Sequence, residues 1–173
     1  MKRIKNYDVP ENWEDITIRQ FLKLRDLKEG QSLESYISIL NAFYEDKDVM
    51  NEDLSTVIEV AVQISHVLTT HPSSKDSDGT YRIGDKEYSL VNTEDLDFGT
   101  FIDFNTLSGG SDWEKIANLG LIISLLTKDV ADVKEFAKVI EENLSVVDGV
   151  SLLLFFSEKV AASLQDIQQS STR

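Results

Sequence analysis

The sequence has no cysteine, two histidines, two prolines and eight glycines among 173 residues. Without cysteine there is no disulfide framework, thiol nucleophile, zinc ribbon or iron–sulfur site, and a reducing compartment is the expected setting. His66 and His71 are the only imidazoles, so His-rich metal sites are nearly excluded and a nucleophilic triad has two candidate bases at most. His71 precedes a proline in a loop, and His66 falls near a helix end, where an imidazole serves the helix dipole. No GxSxG nucleophile elbow is present. Cations are scarce too: 17 Lys and Arg stand against 31 Asp and Glu, a net charge of −14. Such a surface repels nucleic-acid phosphates and anionic membranes, and the basic cluster Lys2, Arg3 and Lys5 is too small to reverse that. Long apolar runs are also missing. The strongest, Leu152 to Phe156, is far short of the roughly 20 residues that span a bilayer. The opening MKRIKNYDVPENW has no apolar h-region, so no secretory signal is expected.

Hydrophobic residues make up 41% of the chain, enough for a substantial core, and the length suits one compact domain or two small packed halves. The clearest shift in composition is Thr70 to Thr80, THPSSKDSDGT, a turn-rich stretch holding Pro72. Upstream, Thr17 and Gln20 have capping-box spacing, followed by Phe21, Leu24 and Leu27 on one helical face. A second helix is predicted from Leu33, with Tyr36, Ile37, Leu40, Phe43 and Tyr44 inward. Asn51 is read as N-cap of a third, carrying Leu54, Val57, Ile58, Ala61, Ile64 and Leu68. Downstream, Tyr81 to Leu90 alternates around Gly84-Asp85 and predicts a two-residue hairpin. Then come a short helix with Phe98, Phe101 and Ile102, a stop at Gly109-Gly110, and a capped helix from Ser111 through Leu126. Another is predicted from Asp129 to Leu144, a break at Asp148-Gly149, and a last helix from Val150 to Gln168 with a frayed tail. The expected fold is mainly α with a small β-hairpin: an N-terminal helical lobe over residues 1–72, and the hairpin with a C-terminal helical lobe over 73–173, or the two merged in one compact domain.

Residues Trp13 to Leu24, WEDITIRQFLKL, resemble Thr93 to Phe104, TEDLDFGTFIDF, at an offset of 80. Similarity at a fixed offset is the trace of a duplicated unit, although helix-capping grammar alone can produce such a match.

Catalytic chemistry has little to stand on. Paired carboxylates are abundant in so acidic a chain and therefore uninformative, and Glu45-Asp46 and Glu141-Glu142 fall on predicted solvent faces. Ser74 to Gly79 has part of a calcium-loop pattern. It has Ser at the first position and Asp85 where a bidentate Glu belongs, and its flanks are loop and hairpin. Gly109-Gly110 lacks the phosphate-loop pattern. No catalytic, cofactor-binding or metal-ligating residue is assigned. Tyr7, Trp13 and Trp113 are the candidate partner contacts, since aromatics are favoured at interface centres. Closure of the chain's own core is the competing role for each.

The order YDVPENWEDITIRQFLKL, helical half, YRIGDKEYSL, EDLDFGTFIDFNTL, helical half resembles a family of short acidic helical proteins. These are encoded among the virion genes of tailed bacteriophages, particularly crAss-like phages of gut Bacteroidetes. The resemblance implies a non-enzymatic virion structural protein without cofactor, present in multiple copies in a symmetric assembly. Its place would be the portal or head-to-tail connector region, or a packed internal position. Its partners would be other phage structural proteins, with no nucleic acid or membrane contact. It would be made in the host cytoplasm and located in the virion. Two alternatives are an assembly chaperone that binds a tail or other structural protein transiently, and an acidic DNA mimic. The mimic requires carboxylates spaced like phosphates on one face, whereas here lysines are interspersed.

Overall fold

A computed structural model of the chain describes residues 1–25 and 32–171. Among these the fold is mainly α, with eight α-helices and two antiparallel hairpins. The chain opens with β1 (Lys2–Ile4) and β2 (Tyr7–Val9), then a 3-10 turn at Trp13–Asp15, α1 (Ile18–Arg25), α2 (Leu33–Phe43), a 3-10 turn at Val49–Asn51 and α3 (Leu54–Leu68). The second half repeats the plan with β3 (Thr80–Ile83), β4 (Lys86–Ser89), a 3-10 turn at Thr93–Asp95, α4 (Phe98–Leu107), α5 (Asp112–Ala117), α6 (Leu119–Leu126) and α7 (Val133–Asn143). α8 (Val146–Ser171) has no counterpart among the described residues of the first half.

Local chemistry explains most element ends. The Thr17 amide donates to Gln20 Oε1 at 2.9 Å and the Gln20 amide donates back to Thr17 Oγ1 at 3.2 Å, the reciprocal cap expected. Ser111 and Glu114 form the same box at the start of α5. Leu27 lies outside the described residues. The hairpin around Gly84 and Asp85 has the expected register, with Tyr81 opposite Tyr88 and Ile83 opposite Lys86.

Landmarks recur between the halves. Turn residues Lys5 and Gly84 both have positive φ, 50° and 57°, and stand 79 positions apart. The 3-10 turns at Trp13–Asp15 and Thr93–Asp95 are 80 apart. The caps Ser32 and Ser111, and Asp53 and Asp132, are each 79 apart.

Several expectations are corrected. The cap of α3 is Asp53, whose side chain accepts from the Thr56 amide, while Asn51 ends the preceding 3-10 turn. The apolar positions of α3 spread wider than one stripe, and the face that turns inward holds Thr56, Val57, Val60, Ala61, Ile64 and Val67, leaving Leu54 and Ile58 outside. The helix from Ser111 is divided at Asn118, whose side-chain amide donates to the Leu107 carbonyl at 2.9 Å. α7 begins after Asp132 instead of at Asp129. α8 runs straight through Asp148-Gly149: methyls of Leu119 and Ile18 would stand only 2.9 and 3.1 Å from a Cβ there, so Gly149 admits a close helix approach instead of breaking the helix. At its far end α8 continues to Ser171, where fraying was expected.

Buried side chains form two clusters. The smaller joins the first hairpin (Ile4, Tyr7, Val9) to Leu40 and the inner face of α3. The larger is built on α6, α7 and the first half of α8, and it takes in Trp13, Ile16, Ile18, Phe21 and Val67 from the N-terminal half. Backbone bonds enforce this crossing. The Ile18 amide donates to the Leu144 carbonyl at 3.1 Å, and the Val146 amide to the Ile16 carbonyl at 2.9 Å. α1 is thereby held between the two clusters, with Leu24 facing the smaller one.

The segment from Thr70 to Gly79 has no regular structure but is attached along its length. The Thr70 carbonyl and hydroxyl both accept from Trp13 Nε1, and the Lys75 amide donates to Ser151 Oγ at 2.9 Å. The Gly79 carbonyl accepts from the Leu90 amide.

Two tests follow from this packing. Gly79 has φ +84°, and a Cβ there would lie 2.4 Å from the Phe155 ring; Gly84 has φ +57° with nothing within 4 Å. Gly84→Ala is expected to cost about 1 kcal/mol from backbone strain alone, and Gly79→Ala about 3 kcal/mol once overpacking adds to it, as measured by urea unfolding. Burial pushes the Tyr81 hydroxyl up to about 12 and raises that of Tyr44 as well, against about 10 in an unfolded chain. The folded state holds these protons more tightly, so stability is complete below pH 10 and falls as pH rises through 10 to 12. Tyr81→Phe should flatten that fall in pH-dependent denaturation.

Candidate interaction surfaces

The aromatic residues singled out in the sequence have different fates. Tyr7 is fully buried, edge-on to Tyr44 with centroids 4.8 Å apart, and its hydroxyl has no hydrogen-bond partner among the described residues. Trp13 is 4% exposed, and its indole nitrogen is satisfied at Thr70, 3.0 Å from the hydroxyl and 3.1 Å from the carbonyl. Both rings are therefore spent on the chain's own core and present no face to a partner. Only Trp113, at 39% exposure, reaches the surface. It stacks on Phe21 at 5.7 Å and on His71 at 5.8 Å, and is tilted against Trp13 at 6.1 Å. These four rings cover the seam where α1, α5 and the Thr70–Gly79 segment meet. Hairpin packing and helix capping bring the rings together across some 100 residues of sequence, and spacing alone gave no sign of it.

Two surface clefts of about 590 Å³ each are present. The first lies beside the Thr70–Gly79 segment, where the Lys75 ammonium meets Asp148 at 2.5 Å and is neutralised by it. The attraction raises the Lys75 pKa, through the hydrogen bond to Asp148 above all. The second is lined by Tyr88, Phe136 and Lys128 among others. Within the Ser74 to Gly79 stretch, Asp78 accepts from the Thr80 amide and hydroxyl, and Ser77 from the Gly79 amide, so these oxygens shape turns. Among the described residues no group of three or more His, Asp or Glu could hold a metal ion. Among the same residues no helix is long and apolar enough to cross a membrane.

What the surface does offer is uncovered apolar helix. On α3, Leu54 (57% exposed), Ile58 (39%) and Val62 (49%) follow one another at single-turn spacing. On α4, Phe98 is 75% exposed and Ile102, one turn on, 47%. The helical spacing put Leu54 and Ile58 on the inward face of α3, and it assigned no face to Phe98 and Ile102. The signal that could have corrected it for α3 is the surplus of apolar positions, which exceeds what one buried stripe needs. Comparison with protein-family models, curated proteins and solved structures finds no match for the chain.

Trp13 and Trp113 can be separated by stability. Trp13→Ala, which empties a fully buried site, should cost about 3–5 kcal/mol. Trp113→Ala removes a ring that solvent already reaches and should cost roughly half as much or less. Equal losses in chemical denaturation would contradict the division between core and surface described here.

Proposed function

We propose that the chain is a structural subunit of a tailed-phage virion that works by protein–protein contact. Its place is the portal or head-to-tail connector region or a packed internal position, and it carries no catalysis of its own. One observation carries the reading: each half leaves an apolar helix face open, Leu54, Ile58 and Val62 on α3 and Phe98 and Ile102 on α4. Contiguous apolar surface left exposed marks an interaction site, and two such faces on separate elements suit a subunit that meets two different neighbours. Repetition of one heterologous contact around an axis closes a ring, the arrangement a connector requires. The resemblance of the lead-in and the EDLDFGTFIDF segment to virion proteins supplies the setting. The acidic surface adds solubility before assembly and discourages contact with packaged DNA.

The test is the protein content of purified particles of the phage that encodes the chain. Mass spectrometry is expected to find the protein at a fixed ratio to the portal subunit, in a ring-like multiple. Abundance in infected cells with absence from mature particles would overturn the structural role in favour of the transient assembly chaperone.

A further inference from the structure

We propose that the open face of α4 docks a cationic amphipathic helix belonging to a different protein. The inference rests on the interaction role above and names the partner chemistry of one of its two surfaces.

The molecule contains its own comparison. α1 and α4 occupy equivalent places in the two halves, each following a hairpin and a 3-10 turn, and their apolar residues correspond at an offset of 80: Ile18 with Phe98, Phe21 with Phe101, Leu22 with Ile102. In α1 this face is closed. Ile18 and Phe21 are buried under α7 and α8, and the helix also contacts α5. α4 packs on α6 through buried Phe104, but among the described residues nothing closes over the rest of this face: Phe98 is three-quarters exposed, Ile102 about half, and Phe101 only half-buried. The same apolar ridge is therefore present with its helical cover missing.

Charge indicates what the cover must carry. The α1 face is flanked by cations, and they meet acids: Arg19 pairs with Glu142 of α7, and Lys23 with Glu45. At the corresponding positions α4 has Gly99 and Asp103. From residue 88 to residue 112 the chain holds Glu94, Asp95, Asp97, Asp103 and Asp112 and no Lys, Arg or His. Asp112 is paired with Lys115 within the chain, but Asp97 and Asp103 adjoin Phe98 and Ile102, and a partner that buries these side chains must bring positive charge there or it desolvates the two carboxylates without compensation. A second copy docking by the same face would set Asp103 against Asp103 between two chains of net charge −14. Its own α7 and α8 surface is already filled by α1. The ridge of Phe98 and Ile102 has the single-turn spacing that fits the side of a helix, as α7 fits α1. A helical segment of another protein with an apolar stripe and Lys or Arg on its flanks satisfies these conditions together.

The probe is a designed fluorescent peptide of about five helical turns, with leucines on one face and lysines flanking them, titrated against the full chain at about 0.15 M salt. Binding is expected. The double variant Phe98→Ser/Ile102→Ser should weaken it about tenfold or more, and Asp103→Lys several-fold, while Leu54→Ser/Ile58→Ser on α3 should leave it unchanged. A matching leucine–glutamate peptide should not bind. Circular dichroism checks folding, and Asp103→Lys, a surface charge change, carries the test if the double variant fails to fold. No binding, equal weakening by the α3 variant, or equal binding of the glutamate peptide would overturn the proposal. Such a failure alongside stoichiometric presence in particles would remove this surface and leave the structural role intact. Peptide binding as expected with absence from particles would do the reverse.

Discussion

The architecture depends on a short backbone exchange between the two ends of the chain. The Ile16 carbonyl and Ile18 amide bond to the Val146 amide and Leu144 carbonyl, and this places α1 against α7 and the start of α8. The exchange satisfies peptide groups that burial would otherwise leave unpaired, at a point where Ile16, Ile18, Leu144 and Val146 are all buried. From that point the geometry propagates. Gly149 must lack a side chain because Ile18 and Leu119 lie against it, and Trp13 must face the second core because it immediately precedes the exchange. The two hydrophobic clusters are then not two independent lobes joined by a tether. The first half lends a helix to the second, and the second closes it.

This lending explains an asymmetry between halves built on one plan. Each begins with a hairpin, a 3-10 turn and a capped helix, and the caps fall at nearly constant spacing. Yet α1 is sandwiched and α4 is not: α7 and α8 of the second half close over Ile18 and Phe21, while no described residue of the first half covers Phe98 and Ile102 in return. Solvent meets apolar surface there, which is what a contact surface provides and what an isolated stable domain tends to avoid.

Much of the local structure was legible in the residues. The capping pairs Thr17–Gln20 and Ser111–Glu114, the Gly84-Asp85 hairpin and the inward residues of α6 follow from short-range chemistry alone. The first hairpin did not, because its strands are three residues long and its turn is Lys5-Asn6, with no glycine to announce the positive φ. Gly149 misled for the opposite reason, being a packing glycine within a helix. The inner face of α3 was ambiguous because its apolar positions spread well beyond one stripe, leaving polar only the side of Ser55, Glu59, Gln63 and His66, so that tertiary contact selects Val60 and Val67 over Leu54 and Ile58. The interaction surfaces were legible in outline only: aromatic rings announce themselves in a sequence, but whether a ring is closed over by its own chain is decided by long-range packing. Tyr7 and Trp13 are closed over; Trp113 is not.

The segment from Thr70 to Gly79 has the composition of a flexible connector, yet it is riveted at Trp13, Ser151 and the second hairpin. A connector tied at three points along ten residues leaves no slack for a swivel. Turning one cluster against the other would have to break these bonds or displace the side chains packed around them, so the two halves are expected to move as one body.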